Sequence, residues 1–317
     1  MRTVTRLAGF AVGLAAVFGA TYGIGRVVDR TPAAESRHDG GAAPATGIDE
    51  TADRIPGGLL VSDRGYTLET VDAPADEFAF RVVGPDGRPV TRYDVAHDKR
   101  MHLIVARRDL SGFRHVHPEL TPDGTWRVDT PLAGAGQWRA FADFVPTGGE
   151  ALTLGVDVTV PGELTERPLP APSTSTTVDG YTVTLTGAPQ PGRTSPLTLT
   201  VSRDGQPVTD LEPYLGAYGH LVALRRGDLA YLHVHPDGAP GDGRTPPGPA
   251  VTFFAEVPSA GSYRLYLDFR HGGAVHTAEF TVVTGTPPAD APPTGDDPSG
   301  PAPTGDADHG TPGHGHN

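Results

Sequence analysis

The sequence carries the same residue pattern twice, and this repeat limits the fold more than any other feature. Four residues recur 118 positions further along the chain: His102, His115, His117 and Pro118, as His220, His233, His235 and Pro236. A later block, Gly136 to Phe144, recurs as Gly261 to Phe269, now shifted by 125 positions. The simplest interpretation is a tandem pair of domains with a seven-residue insertion in the second.

Inside each copy, apolar and polar residues alternate over short runs such as 152–160, 181–185 and 197–201. Alternation at period two, rich in Val and Thr and bounded by Gly, Pro and Asp, is typical of half-buried strands. We therefore predict an all-β fold of two tandem antiparallel β-sandwich domains, of immunoglobulin or cupredoxin type, after an N-terminal transmembrane helix. The strand order stays open at this point.

Changes in composition divide the chain into segments. Stretches rich in Pro, Gly, Asp, Ser and Thr without apolar periodicity predict a tether, a linker and a disordered tail around the two folded units. The predicted segments are an N-terminal transmembrane anchor or signal at 1–30, a flexible tether at 31–58, the first β-sandwich repeat at 59–165, a Pro/Ser/Thr linker at 166–178, the second repeat at 179–285, and a histidine-containing tail at 286–317.

The N-terminal apolar run indicates export. Leu7 to Gly25 is 19 residues long without a charge, follows Arg2 and Arg6, and has no Ala-x-Ala cleavage site after it. A run of about 20 apolar residues spans a bilayer, and basic residues before it favour a cytoplasmic N-terminus. We expect a single-pass membrane protein with both domains outside the cytoplasm, and a secreted protein is the alternative.

Charge and composition narrow the class of partner. The formal net charge is -13, which disfavours nucleic acid and favours a cation. The chain contains no cysteine, so disulfides, thiolate catalysis and sulfur-ligated metal sites are excluded. A bound metal must therefore be held by imidazole and oxygen.

The histidines of the second copy are predicted to share one face of a hairpin. Gly227-Asp228 suits a two-residue turn, and this turn places His220 opposite His235. His233 lies two residues from His235, so it points to the same side. Three imidazoles could then meet at one ion.

The first copy has the same spacing with a poorer turn. A turn at Asp109-Leu110 places His102 opposite His117, with His115 on the same face. A slip of one residue would turn His102 to the other face, so the register is less well specified here.

One aspartate of each copy lies on a later strand. Asp143 and Asp268 could complete a site of three histidines and one oxygen, or hydrogen-bond a ligand histidine. The third alternative is a plain salt bridge with Arg139 or Arg264. We predict one divalent ion in each self-contained repeat, with the ligand candidates His102, His115, His117, Asp143, His220, His233, His235 and Asp268.

Four further histidines have no counterpart in the other copy. His38, His97, His271 and His276 are predicted to lie on the surface, with His271 and His276 at best auxiliary. A buried polar network of histidines that pins each hairpin remains the structural alternative to a metal site.

Two blocks of sequence carry a resemblance. Residues 107–118 read Arg-Arg-Asp-Leu-Ser-Gly-Phe-Arg-His-Val-His-Pro, and residues 138–144 read Trp-Arg-Ala-Phe-Ala-Asp-Phe. In these blocks the chain resembles uncharacterised exported actinobacterial proteins with repeated His-x-His-Pro β-domains, and more distantly the periplasmic β-sandwich copper carriers. The resemblance implies metal handling outside the membrane. Those carriers use an N-terminal histidine brace or methionines, and the folded repeats here offer neither.

Imidazole and oxygen donors suit Cu(II) and Zn(II), whereas a blue-copper centre requires a cysteine. The expected function is a membrane-anchored extracytoplasmic metal-binding protein for carriage, buffering or sensing, and not an enzyme. Its expected partners are the metal ion, the membrane through the N-terminal helix, and a cell-envelope protein of unknown identity. Two alternatives remain: an adhesion or scaffold module with structural histidines, and a metal-dependent hydrolase, which is disfavoured because no general base stands at a recognisable spacing.

Overall fold

The computed structural model describes residues 55–129, 132–232 and 234–285. The predicted anchor, most of the tether, the tail and His233 therefore lie outside the described residues, as does His38. Within the described ranges, no helix is long and apolar enough to cross a membrane.

The described ranges contain twenty β-strands and no helix, which confirms the all-β prediction. The strands of the first repeat are β1 (Ser62–Asp63), β2 (Tyr66–Val71), β3 (Glu77–Val83), β4 (Tyr93–Asp94), β5 (His102–Arg107), β6 (Arg114–Val116), β7 (Glu119–Leu120), β8 (Thr125–Asp129), β9 (Gly136–Pro146) and β10 (Leu152–Val160). Those of the second repeat are β11 (Ser175–Val178), β12 (Tyr181–Thr186), β13 (Thr194–Arg203), β14 (Gln206–Pro207), β15 (His220–Arg225), β16 (Tyr231–Leu232), β17 (Val234–Pro236), β18 (Ala250–Glu256), β19 (Gly261–His271) and β20 (Ala274–Thr284).

Each repeat is a sandwich of two antiparallel sheets. In the first repeat the orders are β1-β2-β3-β8-β7 and β10-β9-β5-β6, and in the second they are β11-β12-β13-β18-β17 and β16-β15-β19-β20. Two short strands join at the side, β4 on β9 and β14 on β13. In the first repeat the seven main strands are β2, β3, β5, β7, β8, β9 and β10. The first, second, fifth and fourth of these form one sheet, and the third, sixth and seventh form the other, which is the immunoglobulin-type order.

Each sandwich encloses its own apolar core. In the first repeat, Phe80 and Trp126 of one sheet pack with Leu103 and Trp138 of the other. The second repeat has a corresponding core that draws on both of its sheets. Alternation along β5 places Leu103 in the core of the first repeat and turns Ile104 to the opposite face of the sheet.

That opposite face is buried against the second repeat. A third apolar cluster, here called the interface core, joins the sheets β10-β9-β5-β6 and β16-β15-β19-β20, which we call the facing sheets. Its members are Ile104, Ala106, Leu110, Phe113, Phe141, Val222, Leu224, Leu229, Tyr231 and Tyr266. Phe113 stacks on Tyr266 with ring centroids 3.9 Å apart, and the Tyr266 hydroxyl donates to the carbonyl of Leu110 at 2.5 Å. The two repeats therefore pack face to face through apolar contacts as well as polar ones.

The linker between the repeats lies along the same contact. Leu169 packs against the interface core, and the backbone amide of Arg167 donates to Oδ2 of Asp109 at 2.9 Å. Arg107 donates to the carbonyl of Thr165 at 3.0 Å. The segment predicted as a Pro/Ser/Thr linker is thus bound to the first repeat near its beginning.

The residues that enter the first repeat are fixed between the two repeats. The amide of Gly58 donates to Thr153 at 2.8 Å, and the amide of Tyr231 donates to the carbonyl of Gly57 at 2.9 Å. This approach requires Gly155, because a Cβ atom there would lie 2.0 Å from the carbonyl oxygen of Gly58. Gly57 and Gly58, which the sequence places in the tether, are part of the packed structure.

Candidate metal centre

The first histidine hairpin has the predicted register. Leu103 pairs with Val116, Ile104 with His115 and Val105 with Arg114. Because residues two apart share a face, His102, His115 and His117 lie on the same side as Ile104. This is the side that faces the second repeat.

The second hairpin begins in the predicted register and then leaves it. Ala223 pairs with Leu232 as expected, but β17 pairs with β18 in the opposite sheet, so that His235 lies beside Phe254. The prediction that His235 faces His220 is therefore wrong. The physical reason is burial: the change of sheet packs Val234 against the core of the second repeat and leaves His235 exposed.

His220 instead joins the histidines of the first repeat. Its ring stacks on His102 with centroids 5.8 Å apart and an interplanar angle of 6°. The centroid of His115 lies 4.6 Å from that of His220, and the centroid of His117 lies 4.9 Å from that of His115. His102, His115, His117 and His220 thus form one histidine cluster that draws on both repeats, whereas the sequence predicts two sets of ligands, each within one repeat. Histidines of different repeats meet because each facing sheet turns them away from its own core and toward the other repeat.

Asp268 connects the cluster to the second repeat. It lies opposite His220 on the β15–β19 ladder and is 3% exposed. Its Oδ2 accepts a hydrogen bond from Nδ1 of His115 at 2.9 Å, and its Oδ1 accepts one from Thr277 at 2.6 Å. Arg264, the alternative salt-bridge partner, binds Glu279 and Thr281 instead.

Asp143 has the equivalent place in the first repeat. It lies opposite His102 on the β5–β9 ladder, and its Oδ1 accepts a hydrogen bond from Thr153 at 3.0 Å. Arg139 binds Asp157 at 2.7 Å and the carbonyl of Gly58, so the proposed Arg139–Asp143 salt bridge is not formed.

A chain of hydrogen bonds runs from the first repeat into Asp268. Nε2 of His102 lies 3.0 Å from the carbonyl oxygen of Ala96, and Nδ1 of His102 lies 3.1 Å from Nε2 of His115. Burial lowers the pKa of His102 to about 4, although the Ala96 carbonyl opposes the shift, so this ring is neutral at pH 7. A carbonyl only accepts, so the ring proton of His102 is on Nε2 and its Nδ1 accepts. Nε2 of His115 therefore faces an acceptor nitrogen of His102, and Nδ1 of His115 faces the carboxylate of Asp268.

Two other ring nitrogens in the cluster are buried without a hydrogen-bond partner among the described residues: Nε2 of His117 and Nδ1 of His220. Burial, reinforced by His115 nearby, lowers the pKa of His117 to about 3 and holds that of His220 well below its usual value. A neutral imidazole with an unused lone pair is a metal donor. Buried polar atoms almost always have a partner, so these two call for one.

The donor atoms lie close enough to share an ion. His102, His115 and His117 form one group, and His115, His220 and Asp268 form another, each with ligand atoms within 4.8 Å of one another. Three protein donors with open positions match the composition of many zinc and copper sites. The residues present therefore fit a divalent transition metal.

His97 is a member of the site that the sequence did not indicate. It sits in the turn between Ala96 and Lys99 with a φ of 48°, and its exposed ring lies 6.1 Å from both His102 and His220. Position 215 of the second copy is a leucine, so comparison of the repeats gave no signal for it.

The two histidines predicted as auxiliary surface residues form a separate network. His271 bonds to the Tyr181 hydroxyl at 2.7 Å and to Asp210 at 3.1 Å, while His276 bonds to Asp179 at 2.8 Å. Both are half-buried rather than exposed. Their ring nitrogens already have partners, and they are not among the residues grouped above as possible ligands.

The family model of a domain of unknown function, DUF8832, matches residues 66–162 and 176–286. The chain belongs to the DUF8832 family. Its two DUF8832 matches each cover one sandwich, so the internal repeat is a repeat of this family's domain. No curated protein matches the chain in sequence.

Solved structures resemble the DUF8832 pair only remotely. A Corynebacterium diphtheriae protein described as membrane anchored is 12% identical, with 70% of this chain and 57% of that chain covered and a TM-score of 0.21. Two fibronectin type III domains of chicken tenascin are 12% identical, with 69% and 97% covered and a TM-score of 0.20. The Yersinia pseudotuberculosis adhesin InvE is 14% identical, with 71% and 62% covered and a TM-score of 0.21. Likeness at this level carries no argument about function.

Proposed function

We propose that this protein binds a divalent transition-metal ion at the interface between its two repeats. The observation that carries the proposal is a pair of buried ring nitrogens that have no hydrogen-bond partner among residues 55–129, 132–232 and 234–285: Nε2 of His117 and Nδ1 of His220, which come from different repeats and flank His115. Leaving such atoms unpaired costs free energy, about 1–3 kcal/mol each, which a bound ion would recover.

The donor chemistry favours Cu(II) or Zn(II). Imidazole and carboxylate suit both ions, and Cu(II) binds such donors most tightly among the divalent metals of the first transition row. Calcium and magnesium require oxygen ligands, and the cluster offers one carboxylate, Asp268. We propose carriage, buffering or sensing of the ion rather than catalysis, because the sequence shows no general base at a recognisable spacing from the histidines.

The proposed location is outside the cytoplasm. The uncharged run from Leu7 to Gly25, preceded by arginines, supports a single-pass anchor with both repeats on the outer side, or a secreted protein if the run is removed. The absence of cysteine from the chain fits an oxidising compartment. A partner in the cell envelope would receive or deliver the ion.

One observation favours the scaffold alternative. The hydrogen bonds from Ala96 through His102 and His115 to Asp268 already join the two repeats without an ion. In that alternative the cluster holds the repeats in a fixed arrangement for adhesion, and its histidines have a structural role. The two proposals differ in whether added metal changes the stability of the protein.

The test is a thermal unfolding series on full-length protein, purified in detergent without an affinity tag. His309, His314 and His316 are replaced by serine so that the tail cannot bind the ion. We expect Cu(II) or Zn(II) to raise the Tm at pH 7.5, because a ligand specific to the folded state stabilises it.

A matched pair of variants locates the ion. His117→Ala should reduce the increase in Tm, whereas His235→Ala, at the corresponding but exposed position of the second repeat, should retain it in full. No metal-dependent change in Tm at pH 7.5 would refute the metal proposal and favour the scaffold.

A further inference from the structure

We propose that the histidine cluster holds two metal ions bridged by His115, one at each of its ring nitrogens. The inference rests on the proposed function and specifies it further. Its starting point is that the two groups of possible ligands have His115 in common.

The contacts of His115 place one group at each edge of its ring. Nε2 lies 3.1 Å from Nδ1 of His102, and Nδ1 lies 2.9 Å from Oδ2 of Asp268. The lone pairs of the two imidazole nitrogens point away from each other, so a single ion cannot use both. An ion beside His102 and an ion beside Asp268 can each use one.

Each group also contains one buried ring nitrogen without a hydrogen-bond partner in the described part of the chain. His117, whose Nε2 is this atom, belongs to the group on the His102 side, and His220, whose Nδ1 is this atom, belongs to the group on the Asp268 side. A single ion would satisfy one of these atoms and leave the other buried and unpaired. Two ions satisfy both, and this difference favours the bridged pair over a mononuclear site.

The surroundings can hold the bridge rigidly. The side chain of His115 is only 1% exposed, and that of Asp268 is 4% exposed. Ring contacts on either side, with His117 at 4.9 Å and His220 at 4.6 Å between centroids, restrict rotation of the imidazole. The side chain proposed to bridge the two ions is therefore almost fully enclosed.

The chemistry is ligand exchange without a change of oxidation state. Two metal–nitrogen bonds form at His115 as each ion gives up bound water, and the protons that the ring nitrogens carry pass to water. The ions replace the direct contacts of His115 with His102 and with Asp268, and His102 and Asp268 then also coordinate them. The negative charges of Asp268 and of the bridging imidazolate offset part of the charge brought in by the ions.

The experiment is a Cu(II) titration of the full-length protein with serine at the three tail histidines, followed by metal analysis and EPR spectroscopy. We expect two Cu(II) ions per chain and an EPR signal much smaller than two isolated ions give, because an imidazolate bridge couples their spins. His117→Ala and His220→Ala should each retain one ion with a full, uncoupled signal, and His235→Ala should match the parent protein. These variants leave His115 in place, so the test does not depend on the stability of a His115 substitution.

Three results would overturn the inference, and they differ in whether they also refute the proposed metal binding. One ion per chain in the parent protein would refute the bridge and leave the proposed metal binding intact. Two ions with a full, uncoupled signal would show two separate sites, and would again leave metal binding intact. No bound ion would refute the bridge and the proposed function together.

Discussion

Nδ1 of His115 donates a hydrogen bond of 2.9 Å to Oδ2 of Asp268, and the two residues belong to different repeats, 153 positions apart. Both side chains are almost fully buried. The contact therefore links the packing of the two repeats to the state of the histidine cluster, and it leads to the first prediction.

Asp268→Asn should reduce both stability and metal binding. The substitution keeps the size of the side chain and removes a buried charge that accepts hydrogen bonds from His115 and Thr277. A buried hydrogen bond to a charged group contributes about 1.5–3 kcal/mol, so we expect the free energy of unfolding to fall by about 2–3 kcal/mol. Urea denaturation measures this change. The matched control is Asp179→Asn, which breaks the pair between His276 and the Asp179 carboxylate, whose side chain is 62% exposed. This substitution should lower the free energy of unfolding by less than about 1 kcal/mol.

Acid should destabilise the metal-free protein well before the carboxylates titrate. The pKa values of His102 and His117 are lowered by burial to about 4 and about 3, whereas the same residues take up protons near pH 6.5 in the unfolded chain. Their contribution to stability is therefore complete above about pH 6.5 and is lost as the pH falls toward those lower values. Each histidine contributes a slope of up to about 1.4 kcal/mol per pH unit in that window.

The measurement for this prediction is the free energy of unfolding at pH 7.5 and 5.5 in the presence of a chelator. His117→Asn should reduce the difference between the free energies of unfolding at the two pH values. Equal stability of the parent protein at both would contradict it.

Tyr266→Ala should weaken metal binding although this side chain donates no ligand. Tyr266 stacks on Phe113 and bonds to the carbonyl of Leu110, so its removal leaves a cavity in the interface core. Truncation of a buried aromatic residue costs about 3–5 kcal/mol. We expect a fall in stability of this size and weaker binding of Zn(II) by calorimetry, because the cluster needs both repeats in place. Phe254→Ala, at a position that is 39% exposed, is the control and should change stability by about 0.5 kcal/mol or less.

Gly155→Ala should release the residues that enter the first repeat. The added Cβ atom would lie 2.0 Å from the carbonyl oxygen of Gly58, which Arg139 also binds. Overpacking of this kind typically costs about 1–3 kcal/mol. Faster proteolysis near Gly58 should accompany the loss of stability. Gly84→Ala is the control, because the atom nearest to its added Cβ would be Oδ1 of Asp86 at 3.3 Å. This variant should be cleaved at the same rate as the parent protein.

The sequence predicts local geometry well here, because that geometry depends on residues close together in the chain. The alternation of apolar residues predicts the strands, and the spacing of His102 and His117 predicts the observed register of the first hairpin. The same reasoning fails at His235, where β16 ends after Leu232 and the chain moves to the other sheet. Pairing rules within one hairpin contain no information about a competing strand such as β18.

The assembly of the site could not be predicted from the pattern of the repeat. Periodicity shows that His102 and His220 each face outward from their own core, but it does not show what covers that face. The answer depends on the shape and apolar character of the facing sheets, which bring residues of different repeats into contact. His97 was missed for a related reason, because a turn brings it to the site and the other copy has Leu215 there.

Joining both halves of the cluster in one polypeptide makes their encounter intramolecular. Two separate sandwiches of this kind would meet at a rate and to an extent set by their concentration. Here the linker, bound through Arg167 and Leu169, keeps the halves at a high effective concentration. The geometry of the histidine cluster is therefore independent of how much of the protein is present, even at a few copies per cell.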